Sequence, residues 1–126
     1  MVQKPLVLNL LNNMNHIIDA QGQKLGRIAT QVAHILQGKH STTYDPRLEG
    51  EDSILVKNIE KLVVTGNKEE GKIYYRHTGF IGHLKKRTFK EAFERSPEKV
   101  LRKAVYNMLP KNRLRNPRLN RLVIEK

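Results

Sequence analysis

The 126-residue chain has no cysteine and no tryptophan, and only 12 acidic residues against 24 lysines and arginines. Without cysteine there can be no disulfide and no thiolate metal site. Without tryptophan, and with no basic amphipathic helix faced by bulky aromatics, attachment to a membrane surface is disfavoured. No apolar run approaches the ~20 residues needed to cross a bilayer. The opening MVQKPLVLNLLNN has one lysine and two short apolar runs split by Asn9. It is too short for the apolar region of a secretory signal and lacks the arginines of a transit peptide. The shortage of acid leaves a net charge of +12. An excess that large opposes compaction unless an anion shares the field, and nucleic acid is the anion that best fits a basic chain of this kind.

Catalytic groupings are missing too. Ser41, Ser53 and Ser96 stand in no G-x-S-x-G setting, and the acidic residues are scattered. No nucleophile, base and orienting group can be nominated together, so no enzyme is expected.

What remains is patterning. HIIDA (residues 16–20) reads as a short buried strand. Apolar residues at Leu25, Ile28, Ala29, Val32, Ala33, Ile35 and Leu36 follow helical spacing, and Gly38 stands where a helix ends. KHSTTYDPRLEGED (39–52) is a polar loop, and 54–57 a second strand. Strand, helix and strand within so short a span predict a βαβ unit with parallel pairing. Leu62–Thr65 is a third apolar run closed by a Gly-Asn-Lys turn. KIYYR (72–76) is strand-like. Thr88 with Glu91 three residues on predicts a capping box, with a helix starting at Phe89. Ser96 followed by Pro97 predicts another helix start. That helix would bury Val100, Leu101, Ala104, Val105, Met108 and Leu109 and stop at Pro110. KNRLRNPR reads as a loop, and Leu119–Ile124 as a closing strand. Nothing marks a repeat or an internal boundary, so a single domain over 15–126 is expected behind an extension of residues 1–14.

Three segments carry candidate phosphate chemistry. YYRHTGFIGHLKKRTF (74–89) has no acid; Arg76, Lys85, Lys86 and Arg87 can each neutralise a phosphate. Tyr74, Tyr75 and Phe80 could stack on unpaired bases or serve as core, a mixture suited to folded RNA. Tyr74 and Tyr75 point to opposite faces of a regular strand, so one at most belongs to the core. The bland alternative is a solvated basic loop with one tyrosine buried. LPKNRLRNPR (109–118) offers Lys111, Asn112, Arg113, Arg115 and Arg118 between two stiffening prolines; its bland alternative is a flexible tail. DAQGQKLGR (19–27) passes from strand through glycine turn to helix start, where free amides attract phosphate, with Lys24 and Arg27 in reach. It has neither P-loop nor dinucleotide-fold spacing, so a phosphate-substrate enzyme built on this turn is only a rival reading. His77 and His83 lack an acidic or cysteine companion, which favours hydrogen bonding to RNA or backbone over metal binding. His40 is read as part of a basic loop, and His16 as a strand residue.

The runs IIDAQGQKLGRIATQVAHILQGKH, VTGNKEEGKIYYRHTGFIGHLKKRT and PEKVLRKAVYNMLPKNRLRN, in that order, resemble the large-subunit ribosomal protein thirteen family over residues 15–116. TGNK, YYRHTG and MLPKNRL are specific in sequence and spacing. The resemblance implies an α/β fold, three-layer α/β/α with a small, mostly parallel sheet. It implies binding to 23S-type large-subunit ribosomal RNA, an early role in assembling that subunit, and neighbouring ribosomal proteins as partners. It implies no enzyme activity, no cofactor, no membrane and no homo-oligomer. The ribosome would be that of a bacterium, a plastid or a mitochondrion. RNA-facing positions carried over are Lys24, Gly26 and Arg27; Lys39 and His40; Lys68; Tyr75, Arg76 and His77; Gly82, Lys85 and Lys86; and Lys111, Asn112 and Arg113. Ile81-Gly82-His83 stands where the family usually has Pro-Gly-Gly, and Arg115-Asn116-Pro117 where many relatives have Gly-Arg. The weakly charged residues 1–14 receive no RNA contact. An RNA-binding regulator acting outside the ribosome would use the same basic face.

Overall fold

The computed structural model describes residues 15–126; the expectation for the 1–14 extension lies outside them. The period-two and period-3.6 patterns organise the chain as expected. Strand β1 (His16–Asp19) leads through a turn into helix α1 (Leu25–Leu36), which returns the chain to β2 (Ile54–Lys57). β1 and β2 pair in parallel, with Ile18 opposite Val56. The C-terminal strand β5 (Leu122–Ile124) pairs in parallel with the other edge of β2, giving the order β1-β2-β5. Beyond a single 3-10 turn (Ile59–Lys61), six further elements lie between β2 and β5. Helix α2 (Lys68–Gly71) precedes an antiparallel ribbon of β3 (Ile73–His77) and β4 (Leu84–Thr88). Helices α3 (Phe89–Arg95), α4 (Pro97–Met108) and α5 (Arg115–Asn120) follow. The fold is thus mixed α/β, with a small parallel sheet and one separate antiparallel pair.

One face of the sheet supplies Ile18, Ile54, Val56 and Leu122 to the core. Helix α1 adds Ile28, Ala29, Val32, Ala33 and Leu36, and α4 adds Leu101 and Val105, with Leu109 just beyond it. Alternation puts Ile17 on the opposite face, where it is 63% exposed. HIIDA is therefore buried on one face only, not throughout.

Helix ends follow their local chemistry. At the end of α1 the Gly38 N–H donates to Ile35 O and the Lys39 N–H to His34 O, the paired bonds of a Schellman motif. Gly38 has φ +77°, the left-handed region that this motif needs. Thr88 Oγ1 accepts from the Glu91 N–H at 3.3 Å, one half of the predicted capping box. Ser96 holds the cap position of α4, but its hydroxyl makes no capping bond; Pro97 at the first helical position carries that start. Met108 is 42% exposed rather than buried.

Two segments depart from expectation. Residues 84–88 were expected as part of a basic loop and instead form β4. LKKRT has no apolar alternation because the strand is exposed along most of its length, so the periodic signal was absent. Pairing is set by the turn before it, where Gly79 (φ +89°) and Gly82 (φ +75°) reverse the chain and the Thr78 N–H donates to His83 O. Residues 115–120 were expected as loop and form α5. Pro117 does not break this helix, because it lies in the first turn, where backbone N–H groups have no helical acceptor. The closing strand is correspondingly shorter than Leu119–Ile124.

Three arginines of the C-terminal region are fastened into the fold. Arg118 is 2% exposed, and its guanidinium donates to Leu48 O at 2.8 Å and Glu49 O at 3.3 Å. Arg121 donates to Leu36 O, Glu49 O and Asp52 O. Burial pulls its guanidinium below the ordinary arginine value, with nearby Glu49 opposing. Arg102 donates to Leu119 O and Leu122 O. A planar five-donor fork can bridge several carbonyls at once, and here it ties the 39–52 loop to α5 and β5. Gly50 lets the loop approach: a Cβ there would meet Arg121 Nη2 and Leu36 O at 3.3 Å.

Candidate nucleic-acid interface

Lysines and arginines gather in two clefts on either side of α4. The first is about 410 Å³ and lies between the ribbon and helices α3 and α4. Its basic residues are Arg76, Lys85, Lys86 and Arg87 from the ribbon, and Arg95, Lys99 and Lys103 from the helices; no acidic side chain lines it. The ribbon register explains the spacing. Tyr74 faces Arg87, Tyr75 faces Lys86 and Arg76 faces Lys85, so cationic side chains emerge from both faces of the two strands. Tyr74 is half-buried, packing on Phe89 with ring centroids 6.4 Å apart; burial pushes its phenol up from the usual value. Tyr75 is 57% exposed, with Lys86 Nζ 5.9 Å from its ring centre. Tyr74 is thus partly buried and Tyr75 stays available for stacking, consistent with at most one of the two belonging to the core.

The second cleft is about 440 Å³ and opens at the start of α1. Lys24, Gly26, Arg27, Lys68 and Lys72 line it, again with no acidic residue. The first turn of α1 contains no acid and no side-chain cap, so its positive dipole favours an anion there. Lys24 forms an isolated parallel bridge with Val63, and the Leu25 N–H donates to Val63 O. The third apolar run, 62–65, is therefore used to anchor this turn.

The clefts meet at Tyr74. Lys72, from the second cleft, and Lys103, from the first, lie over its ring with Nζ at 5.4 and 4.5 Å from the centroid. A continuous cationic track thus runs from the α1 turn to the ribbon. Lys72, Arg95, Lys99 and Lys103 were not singled out from the sequence. The available signal was the four-residue spacing of Lys99 and Lys103, which share one side of α4.

Other nominated residues lie apart from the track. Lys111, Asn112 and Arg113 are exposed on the turn that leaves α4, beyond Asn107 and Met108 of the second cleft. Asn112 Oδ1 accepts from the Leu114 N–H and so shapes that turn. Arg115 donates to Pro110 O and Leu109 O and stacks on Tyr106 at 4.2 Å, closing the end of α4. Arg118, grouped with the phosphate-binding residues from the sequence, is corrected by its burial: its donors are spent on Leu48 and Glu49 carbonyls. Arg102 and Arg121 likewise spend donors on backbone carbonyls. His77 and Gly82 sit at the ribbon tip, where His77 Nδ1 accepts from the Gly79 N–H at 3.0 Å. Lys39 is exposed after α1. His40 is engaged by Asp52, Nε2 to Oδ2 at 2.7 Å.

The family described as Ribosomal protein L13 matches residues 13–124. The large ribosomal subunit protein uL13 of Chloroflexus aggregans is 49% identical over 109 residues, covering 86% of this chain and 76% of that protein. The protein of the same name from Alkalilimnicola ehrlichii is 45% identical over 109 residues, covering 86% and 77%. That of Psychromonas ingrahamii is 51% identical over 98 residues, covering 78% and 69%. The chain belongs to the ribosomal protein L13 family.

Proposed function

We infer that the chain is a structural constituent of the large ribosomal subunit, held there by large-subunit ribosomal RNA and contributing to the assembly of that subunit. Its role is structural rather than enzymatic. The supporting observation is the joined pair of acid-free clefts: Lys24, Arg27, Lys68 and Lys72 in one, Arg76, Lys85, Lys86 and Arg87 with Arg95, Lys99 and Lys103 in the other. Such an arrangement neutralises phosphates of separate RNA segments at spacings fixed by the folded body, and the exposed Tyr75 offers a stacking surface. Lys111, Asn112 and Arg113 extend the contact beyond α4, while Lys39, His77 and Gly82 reach RNA at further points. The relatives are bacterial, and a bacterial cytoplasmic ribosome is the corresponding setting. Neighbouring ribosomal proteins are the expected protein partners. Among the described residues no helix is long and apolar enough to cross a membrane.

Phosphate contacts release counterions, so affinity for large-subunit RNA falls steeply with salt. With ~6–10 contacts, binding drops by about 10³–10⁵ between roughly 50 and 200 mM. Filter binding across that range tests this, and a flat response rejects it. Sedimentation of the tagged chain with large subunits after a high-salt wash separates a subunit component from a free RNA-binding regulator.

A further inference from the structure

Away from the cationic track, three segments converge on one carboxylate. His16 opens β1, His40 lies in the turn after α1, and Asp52 ends the loop before β2. His40 Nε2 is 2.7 Å and His16 Nε2 is 3.6 Å from Asp52 Oδ2. One ligating atom from each of the three lies within 4.8 Å of the others. The imidazole rings meet edge to face, with centroids 5.1 Å apart and planes at 81°. Neither histidine is used by the RNA-facing clefts.

We propose that His16, His40 and Asp52 bind a zinc ion. Two imidazole nitrogens and one carboxylate oxygen are a donor set that suits zinc, with water completing a four-coordinate site. Metal–ligand bonds near 2.0–2.1 Å set ligand atoms about 3.3 Å apart in a tetrahedron. The His16–Asp52 separation already approximates that. The His40–Asp52 bond must open slightly as zinc replaces the shared proton, and the histidines must draw together. Partial exposure leaves room for both movements and for the water: the three side chains are 32%, 34% and 26% exposed. The carboxylate is oriented for the task. Asn15 Nδ2 donates to Asp52 Oδ1 at 2.8 Å, which leaves Oδ2 to the two histidines, and such outer contacts hold metal ligands in place. Arg121 donates to the backbone oxygen of Asp52 and not to its carboxylate. Glu49 and Glu51 precede Asp52 in the same loop, so the surrounding stretch is acidic within a basic chain.

Occupancy would fasten the 39–52 loop to the start of β1. It would also fix His40 next to Lys39, a residue proposed to face RNA, so zinc would order that contact without touching the main track.

The test uses the full chain, Zn²⁺ and a competing chromophoric chelator. Saturable one-to-one binding is expected, with Mg²⁺ unable to substitute. His16→Ala and His40→Ala should each weaken affinity by at least ~10-fold, whereas a His77→Ala/His83→Ala variant should bind as the parent does. At about a hundredfold excess over Kd, zinc should raise Tm by ~10 °C in the parent and much less in His16→Ala. Binding should release protons and weaken on acidification. Circular dichroism confirms that each variant is folded; His16→Ala, at a partly exposed site, is the safest comparison. Absence of saturable binding, parental affinity in both His16→Ala and His40→Ala, or loss confined to the His77/His83 variant would overturn the proposal. RNA binding can survive any of these outcomes, so the inference stands apart from the proposed function.

Discussion

Arg118→Met separates a residue of the fold from a residue of the interface. The sequence places this arginine in the most basic stretch of the chain, but the structure buries it to 2% exposure. Its guanidinium donates to Leu48 O at 2.8 Å and Glu49 O at 3.3 Å. Bonds from a charged donor contribute ~1.5–3 kcal/mol each, and the longer one belongs at the low end. Methionine preserves most of the apolar bulk, so the cavity cost is small. Releasing a buried charge offsets part of the loss, and Leu48, at 62% exposure, lets water replace the donor at its carbonyl. The net cost is about 2–3 kcal/mol. With an unfolding entropy near 2.1 cal/mol/K per residue, that lowers Tm by ~8–12 °C for a chain of this length. Urea denaturation measures the first quantity and calorimetry the second. Affinity of the folded variant for large-subunit RNA should stay within about twofold of the parent. A stability loss below ~0.5 kcal/mol together with an RNA affinity loss above tenfold would mean that Arg118 faces phosphate and that the buried placement is wrong.

Lys85→Ala with Lys86→Ala should do the reverse, since both side chains are exposed in the first cleft: weaker RNA binding, a salt slope shallower by about 2, and Tm nearly unchanged. Leu101→Ala truncates a side chain with 0% exposure in the main core and should cost ~2–5 kcal/mol in urea denaturation. Asp52 carries a pH dependence. The Asn15 hydrogen bond, aided by His40 and His16, holds its carboxyl below the usual value of 3.8. A depressed folded-state pKa contributes stability that is present above 3.8 and lost as pH falls through the lowered value. Asn15→Ala should therefore shrink the fall in stability below about pH 4, read by urea titrations across pH; an unchanged acid limb would contradict the assigned cause.

Local rules made much of this protein legible in its sequence. The spacing from Leu25 to Leu36 specified α1, Gly38 its end, the Thr88–Glu91 pair the start of α3, and the apolar positions of α4 most of its buried face, because each depends on side chains within a turn or two. The resemblance carried by TGNK, YYRHTG and MLPKNRL led to the family for a different reason: ordered motifs identify ancestry without any geometry. Charge excess pointed to an anionic partner because net charge is a sum over residues and needs no coordinates. Direction was another matter. Arg118 and Arg113 stand in one basic run, yet one is buried on loop carbonyls and the other exposed, since the acceptors at Leu48 and Glu49 come from some seventy residues away. The β3–β4 pairing, the meeting of Lys72 and Lys103 over Tyr74, and the gathering of His16, His40 and Asp52 likewise join residues distant along the chain. Such contacts form only when packing brings segments together, so composition and periodicity supplied the charges and the elements, and tertiary structure alone decided which charges face outward, which neighbours they meet and which serve the fold.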